Sequence, residues 1–543
     1  MLPRFNIFTS PTFTAPKSVA FALAFGVLSA AAPQPADAQV TAYKQAVAET
    51  GSRDDDIAKF YRARDFEGVW TGSSVLHQSR RAALLEALRH AGDHGLPVSR
   101  YDADALERQM AAARSPRDLG NIEVEMTRMF LQYARDIQSG ALIPKKVVDA
   151  VKREVVYTDR AELISGFLAA SPTSYLRGLA PRTIEYGSLM KQKLLLEEQL
   201  ERGGWGPAVQ ASSLKPGASG KAVLALRSRL MVMGYLGRSN AKTYDAAMTA
   251  AVEAFQKAHG LTADGVAGSG TIKQINLDIH TRLKSVVVAM ERERWLNRER
   301  GARHILVNIP DFTAKIVDRG RVTFETRSVV GANKSDRPTP EFSDIMSHMI
   351  INPSWYVPRS IIVGEYLPAL KRNPNAVRHI QITDRKGRVV NRANANFGKY
   401  TARNFPFSMR QPPSRSNALG LVKFMFPNKY NIYLHDTPAK SLFSREVRAF
   451  SHGCVRLNDP FDFGYALLAV QEDEPEAFFQ RHLKSGRESR VNLETPVPVH
   501  LIYRTAYTDA RGNLNFRRDV YGRDALIWNA LQKAGVELGG VQG

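Results

Sequence analysis

The chain has 543 residues, of which 44% are hydrophobic and 24% are charged. This composition excludes wholesale disorder and is large enough for roughly two to four domains. The formal net charge of +22 favours a polyanionic partner. Because Lys and Arg are spread along the chain and the N-terminus indicates export, a cell wall or membrane surface is favoured over nucleic acid.

The first residues have the pattern of a secretory signal peptide. Arg4 and Lys17 precede an apolar run over 18–32, and small residues follow at Ala36 and Ala38. We predict a signal peptide over 1–38 that is cleaved near Ala38. A retained membrane anchor is the alternative, although the run is shorter than the ~20 residues that a spanning helix needs. No later stretch is apolar and long enough to span, so the mature protein is expected to be exported and soluble.

Residues 39–205 are predicted to form a helical scaffold domain. One amphipathic helix is predicted over 79–94 and ends at Gly95. The apolar residues of a second, over 124–138, recur at steps of three and four. They are Met126, Met129, Phe130, Tyr133 and Ile137. No cluster of reactive side chains stands out in this region of the sequence.

A compact bundle is predicted over residues 206–280. Its three short helices, at 219–233, 246–259 and 271–277, are separated by glycines. A longer helix over 278–297 is expected to return to the scaffold, and residues 281–302 connect the bundle to the next domain.

From residue 303 the hydrophobic period changes to the alternation typical of strands. Strands are predicted at 304–309, 314–317, 322–330, 349–352, 421–424, 430–434 and 499–504. They define a mostly-β domain over 303–505. The fold class is therefore multidomain α + β.

Two further segments accompany the β domain. The stretch at about 358–416 is rich in Pro, Arg, Asn and Gly, and a connection of that length is either an inserted functional lid or a surface loop. Residues 506–543 are predicted to form a hairpin around Gly512 and a tail.

Cys454 is the single cysteine of the chain. A lone cysteine is usually a small buried hydrophobe, but this one lies in the run Ser-His-Gly-Cys-Val-Arg over 451–456. His435 lies 19 residues earlier, at the end of a predicted strand. Because an ordinary thiol is only a few per cent ionised near pH 7, we predict that Cys454 is a nucleophile and that His435 accepts and later returns its proton.

The neighbours of Cys454 suggest supporting roles. Gly453 permits a tight turn, so the backbone amides of Gly453 and Cys454 could stabilise an oxyanion. Arg456 supplies positive charge and could hold a substrate carboxylate. His452 either assists the chemistry or has a structural role in the loop, and the second reading is favoured.

This run, preceded by His435, resembles the signature of the L,D-transpeptidase family, in which a His and a spacer precede Ser/Thr-His-Gly-Cys. The segments 351–358, 417–428 and 434–438 also resemble the larger members of that family. The bundle at 206–280 is similar to a peptidoglycan-binding module. The residues that carry this second resemblance are Gly217, Leu226, Leu230, Gly234, Tyr235, Phe255, Gln256, Asp264 and Gly265.

The resemblance implies a periplasmic enzyme that forms 3-3 cross-links between peptidoglycan stem peptides. Cys454 would form a thioester with a donor tetrapeptide, and the amine of an acceptor stem peptide would resolve it, without a cofactor or metal. The sequence leaves open whether water or an outer-membrane protein is the acceptor instead. An inactive wall-binding protein is the alternative of another class.

The resemblance also assigns roles around the site. The backbone carbonyl of Asp436 would orient the His435 imidazole, although many smaller relatives have Gly or Ser at this position. Substrate-binding residues would be Arg456, Tyr433, Trp355 and Asn417. For Trp355, a buried aromatic anchor is an equally good interpretation.

Overall fold

A computed structural model of the protein describes residues 35–334 and 336–538, with the side chains of 35–38 left out. Most of the predicted signal peptide lies outside these ranges. None of the helices within them is both long and apolar enough to cross a bilayer.

The N-terminal region is helical. Its helices are α1 (Pro35–Gly51), α2 (Asp55–Ala63), α3 (Val75–Arg89), α4 (Ala103–Ala112), α5 (Pro116–Ser139), α6 (Pro144–Val147), α7 (Arg160–Ala169), α8 (Pro172–Gly178) and α9 (Ile184–Glu201). A capping box between Ser115 and Asp118 starts α5, with Pro116 in its first turn. The buried face of α5 then forms the centre of the scaffold core, as the apolar period predicts.

The bundle after the scaffold consists of α10 (Lys221–Val232), α11 (Ala246–Ala258) and α12 (Ser269–Ile275) around a small apolar core. The next helix, α13 (Ile279–Trp295), is buried along most of its length. Val287, Val288 and Trp295 of α13 pack in the scaffold core. The expected return of the chain to the scaffold is therefore observed.

The C-terminal half is mostly β. Its elements are β1 (Arg303–Asn308), β2 (Thr313–Asp318), β3 (Arg321–Gly331), β4 (Phe342–Ile351), β5 (Trp355–Tyr356), α14 (Arg359–Ile361), α15 (Leu367–Arg372), β6 (Gln381–Thr383), β7 (Ser408–Gln411), β8 (Val422–Met425), β9 (Leu434–His435), β10 (Ala449–Ser451), β11 (Val455–Leu457), α16 (Pro460–Leu468), α17 (Pro475–Lys484), β12 (Ser489–Ile502), β13 (Ala506–Thr508), β14 (Leu514–Phe516) and α18 (Arg523–Lys533). In the described residues nine strands form one sheet in the order β10-β3-β11-β9-β8-β4-β12-β1-β2, and β2 also pairs with β3. This second pairing closes the sheet on itself around an apolar core.

The predicted strand over 430–434 is wrong in extent, because β9 begins only at Leu434. The Asn428 side chain accepts hydrogen bonds from the backbone N–H groups of Tyr430 and Ile432. Asn431 then takes a left-handed backbone conformation with φ +56°. These side-chain-to-backbone bonds compete with strand pairing and form a turn instead.

The stretch at 358–416 is a folded subdomain rather than an open loop. Its strands β6 and β7 form a separate sheet with β5, which lies just before the stretch. A π-helical turn at Ile362–Tyr366 lies between α14 and α15. A second apolar core, which includes Trp355, Phe397 and Leu419, fills the subdomain.

The C-terminal region forms the hairpin β13–β14, with Ala506 opposite Phe516. The segment after the hairpin is not a simple tail, because α18 packs into the scaffold core through Ile527, Trp528 and Leu531. The chain thus returns from the β domain to the helical scaffold.

Candidate active site

Strand register places the predicted base, His435, beside Arg456 and close to the turn that carries the predicted nucleophile, Cys454. His435 is paired with Lys423 of β8 on one side and with Arg456 of β11 on the other. Cys454 ends the turn just before β11, and its thiol lies near enough to Tyr433 and Arg456 for both to act on its pKa. Leu434 and Val455 are buried in the apolar core, and Cys454 packs against the edge of this core. Cys454 is half-buried and His435 is buried.

A tight turn over residues 451–454 presents Cys454. The Ser451 hydroxyl donates to the carbonyl of Cys454 and accepts from the Gly453 N–H at 3.1 Å. Gly453 has φ +114°, a conformation that favours glycine. The Gly453 N–H is thus already bound to Ser451, which argues against the predicted oxyanion role of this N–H. Across the described residues the Cys454 N–H has no hydrogen-bond partner, and it is the turn's free donor.

The His435 imidazole is oriented by a backbone carbonyl. Its Nδ1 donates to the carbonyl of Asp436, a short contact of the kind the resemblance implies. With the proton on Nδ1, the lone pair of Nε2 is left to accept a proton. Burial lowers the pKa of His435 to about 3, and the charge of Arg456 adds to the shift. The imidazole is therefore neutral at physiological pH, as a proton acceptor must be.

Cys454 is a neutral thiol in this resting site. Burial raises the pKa of Cys454 to about 11, against the opposing effect of Tyr433, Arg456 and Lys423. Its Sγ donates to the carbonyl of Asn431 at 3.4 Å. Because the imidazole is also neutral, the two groups are present as a thiol and an imidazole rather than as a thiolate–imidazolium pair. The thiol proton would leave during attack on a substrate carbonyl.

Arg456 is a half-buried cation without a counter-ion. Throughout residues 35–334 and 336–538, no ion pair or hydrogen bond of its guanidinium is found, and its Nε is buried and unsatisfied. Burial lowers the pKa of Arg456, and the nearby Cys454 opposes this shift. An unpaired buried cation is costly, so this guanidinium is well suited to bind a substrate carboxylate bidentately.

The Asp436 side chain is structural. Its carboxylate accepts from the N–H of Leu421 at 2.9 Å and from Lys440 Nζ at 2.8 Å. A Cβ on Gly420 would lie 2.3 Å from the Asp436 carboxyl carbon. The carboxylate therefore anchors the loop before β8, while the backbone carbonyl of the same residue contacts the imidazole.

Asn417 does not have the arrangement of a substrate-binding residue. It is fully buried, and its side-chain amide donates to the carbonyls of Pro353, Gln411 and Pro412. Its Oδ1 accepts from the N–H of Leu419. These contacts argue against the predicted role, because every polar atom of the side chain is used to fold the loop.

Tyr433 and Trp355 form the wall of the site toward the subdomain. The Tyr433 ring lies 5.7 Å from the His435 ring, and Lys423 Nζ lies 6.0 Å from the Tyr433 ring. Trp355 is 8% exposed and packs in the subdomain core. This burial fits the aromatic-anchor interpretation of Trp355 better than direct substrate contact.

His452 contacts the inserted subdomain. Its Nε2 lies 2.6 Å from Glu365 Oε1, and Arg337 binds the same oxygen at 2.5 Å. Glu365 belongs to the π-helical turn of the subdomain. The contact favours the structural reading of His452, in which it ties the turn before Cys454 to the inserted subdomain.

Sequence reasoning missed Lys423, Glu365 and Thr339. Lys423 had a usable signal, since a polar residue within the run Leu-Val-Lys-Phe must point away from the apolar core. Glu365 and Thr339 are linked to the turn across 87 and 114 residues, respectively, which no local pattern indicates. Over the described ranges, no group of three or more His, Cys, Asp or Glu side chains could hold a metal ion.

Comparison with known families identifies three domains. Residues 302–486 match the L,D-transpeptidase catalytic domain, residues 55–192 a scaffold domain, and residues 219–275 a domain described as "Putative peptidoglycan binding domain". A protein of Haemophilus influenzae named "Putative L,D-transpeptidase" is 33% identical over 237 residues, which are 42% of this chain and 47% of that protein. The match thus spans about half the length of this relative.

Two solved structures are also similar. An L,D-transpeptidase from Xylanimonas cellulosilytica is 17% identical, with 55% of this chain and 100% of that chain covered and a TM-score of 0.16. One from Stackebrandtia nassauensis is 13% identical, with 55% and 97% covered and a TM-score of 0.21.

Proposed function

Because the chain contains an L,D-transpeptidase catalytic domain, a scaffold domain and a peptidoglycan-binding domain, we propose that it is an exported cysteine enzyme that forms 3-3 cross-links in peptidoglycan. The observation that carries the proposal is that the Cys454 thiol and the neutral imidazole of His435 both lie beside the unpaired Arg456. A nucleophile, a base and an anion-binding group then border one space.

In the first half-reaction, Sγ of Cys454 attacks the carbonyl carbon of the third residue of a donor tetrapeptide. The thiol proton passes to Nε2 of His435, and the oxyanion accepts a hydrogen bond from the Cys454 N–H. The tetrahedral intermediate then collapses. The bond to the terminal D-Ala breaks, and His435 returns the proton to the leaving amine, which leaves a thioester on Cys454.

In the second half-reaction, the side-chain amine of the third residue of an acceptor stem attacks the thioester. His435 removes a proton from this amine and protonates the departing Sγ, so the free thiol is restored. The product joins two third residues. Both half-reactions balance through acid–base chemistry alone.

Arg456 would hold a carboxylate of the donor stem, and the inserted subdomain would cover the site. Glu365 supports this second role, because it joins the subdomain to the turn before Cys454. Excluding water from the thioester would favour attack by an amine over hydrolysis. The basic net charge and the 206–280 bundle would keep the enzyme on the polyanionic cell wall of the periplasm.

The proposal is tested by incubating the purified protein with disaccharide-tetrapeptide and identifying the products by mass. Cross-linked dimers that have lost one D-Ala are expected. Tripeptide alone would show that water is the acceptor, and products that form only when an amine-bearing outer-membrane protein is added would show an anchoring reaction. Unchanged tetrapeptide under all of these conditions would favour the inactive wall-binding alternative.

A further inference from the structure

A C-terminal segment outside the matched catalytic domain contacts Thr339, the residue that holds the turn carrying Cys454. The Thr339 hydroxyl donates to the Gly453 carbonyl at 2.7 Å and accepts from the Gly331 N–H at 2.9 Å. Tyr521 lies beyond residue 486, where the family match ends. Its hydroxyl donates to the Gly331 carbonyl at 2.6 Å and lies 3.3 Å from the Thr339 N–H.

Arg523, from the first turn of α18, binds the carbonyl of Thr339, which is the remaining polar group of that residue. Its Nη2 donates to the Thr339 carbonyl at 2.8 Å, and its Nη1 binds Glu341 at 2.9 Å. The guanidinium also lies against the rings of Tyr503 and Tyr521, with its central carbon 4.8 and 4.7 Å from the ring centres. Thr339 is completely buried, and its N–H, hydroxyl and carbonyl all have partners. Its position is therefore tightly determined.

The geometry of the peptide bond explains why the position of Thr339 matters for the chemistry at Cys454. The Gly453 carbonyl and the Cys454 N–H belong to the same planar, trans peptide group, so they point in opposite directions. A hydrogen bond that fixes the carbonyl also fixes the N–H. Gly453 at φ +114° supplies little local restraint of its own. Thr339 is the residue whose hydroxyl holds the carbonyl.

We propose that Thr339, held by Tyr521 and Arg523, is a positioning residue that aims the Cys454 N–H at the oxyanion. Tyr521 and Arg523 then complete the support of the active site, although both lie outside the matched catalytic domain. This inference rests on the proposed transpeptidase function, and it adds residues that act through another group rather than on the substrate.

The packing around Gly331 supports the same arrangement. A Cβ on Gly331 would lie 1.9 Å from the Arg337 carbonyl and 2.7 Å from the Thr339 N–H. The loop that carries Thr339 thus lies directly against the end of β3. Gly331 is also paired with Ser451, the first residue of the turn.

The test compares two reactions of the same sulfur in the full-length protein. Acylation by disaccharide-tetrapeptide builds an oxyanion, whereas alkylation by iodoacetamide does not. Thr339→Val should lower the acylation rate at saturating donor by about 30–100-fold, in the range observed when one oxyanion donor is lost. The half-saturating donor concentration and the alkylation rate should change by less than about 3-fold, because binding and the thiol are untouched.

Conservative and matched variants sharpen the result. Thr339→Ser keeps the hydroxyl and should restore acylation to within about 3-fold of the wild type. Tyr521→Phe removes one support of Thr339 and should cost about 5-fold. Tyr507→Phe removes a similar hydroxyl in the same C-terminal region, one that faces Asp311 at 3.3 Å instead of the turn, and should have no effect on acylation.

Equal loss of acylation and alkylation in Thr339→Val would overturn the inference, as would full acylation activity in both Thr339→Val and Tyr521→Phe. If Thr339→Val does not fold, Tyr521→Phe alone decides, and an unchanged acylation rate in that variant refutes the inference. A wild-type protein that alkylates but is never acylated would refute the proposed function itself. The two failures are therefore distinguishable.

Discussion

Two regions of this molecule bury charged side chains, which are paired in one region and unpaired in the other. On α13, the four consecutive residues Glu291 to Arg294 are at most 3% exposed. Glu291 binds Arg294 at 2.7 Å, Arg292 binds Glu341, and Glu293 binds Arg300 at 2.7 Å. On the site face of the sheet, Arg456 is half-buried, and among the described residues it has no ion pair.

The electrostatics of the two regions differ accordingly. Burial alone would raise the pKa of Glu341, but Arg292 and Arg523 outweigh burial and lower it. At the site, burial prevails and lowers the pKa of Arg456. A buried charge with a partner holds domains together, whereas a buried charge without one is available for a ligand. Substitutions in each region test this distinction.

Removing the nucleophile should have the largest effect. Cys454→Ala should lower cross-link formation by at least about 10³-fold, since no other group can form the thioester. The melting temperature should stay close to that of the wild type, because the site makes few contacts that support the fold. Product formation is followed by mass spectrometry and unfolding by circular dichroism. Full turnover in the variant would exclude Cys454 as the nucleophile.

Breaking a buried ion pair of α13 should have the opposite result, a loss of stability with activity preserved. Glu291→Gln leaves Arg294 buried without its counter-ion and should cost about 3–5 kcal/mol of unfolding free energy. Activity per folded molecule should be preserved. The measurement is urea unfolding followed by tryptophan fluorescence. As a control, Glu198→Gln removes an exposed pair with Arg202 and should cost less than about 1 kcal/mol; equal losses would mean that burial does not distinguish the two pairs.

Removing the unpaired cation should weaken binding and leave stability intact. Arg456→Gln should raise the half-saturating donor concentration by about 10–100-fold, as expected for a lost charge-assisted hydrogen bond. The unfolding free energy should be unchanged or higher, because a desolvated charge is removed. Steady-state kinetics and urea unfolding test both parts, with the exposed Arg372→Gln as control. Strong destabilisation would mean that Arg456 has a structural partner after all.

The smallest change concerns pH. With the pKa of Cys454 raised to about 11, the thiolate fraction should rise about tenfold per pH unit between pH 7 and 10. The rate of iodoacetamide alkylation should follow this rise. No inflection is expected near pH 6.5, because the pKa of His435 is lowered to about 3. A plateau across neutral pH would indicate a thiolate–imidazolium pair instead.

Much of the fold could be predicted because its determinants are local. Apolar period predicted α5 and α11, and a short motif singled out Cys454 and His435. Predictions from the sequence were less successful where distant contacts or side-chain hydrogen bonds determine the local structure. Hydrogen bonds to the Asn428 side chain fold the supposed strand at 430–434 into a turn. The side-chain amide of Asn417 donates its hydrogen bonds to backbone carbonyls.

The domain boundaries and the chemical roles of the site residues remain predictions, and the sequence alone does not reveal their supports. Thr339 contacts Gly453 across 114 residues, and Tyr521 contacts Gly331 across 190. Neither residue belongs to a recognisable motif. Contacts of this range depend on how the sheet closes and where α18 returns, and both are properties of the assembled chain.

The central claim, that Cys454 carries the acyl group, is tested most directly by trapping the intermediate. The protein is mixed with disaccharide-tetrapeptide, quenched in acid within one turnover, and analysed by intact mass and peptide mapping. We predict a mass increase equal to the donor without its terminal D-Ala, located on the peptide that contains Cys454 and absent from Cys454→Ala. Cross-linked product that accumulates while the wild-type Cys454 peptide stays unmodified, or an adduct on another residue, would contradict it.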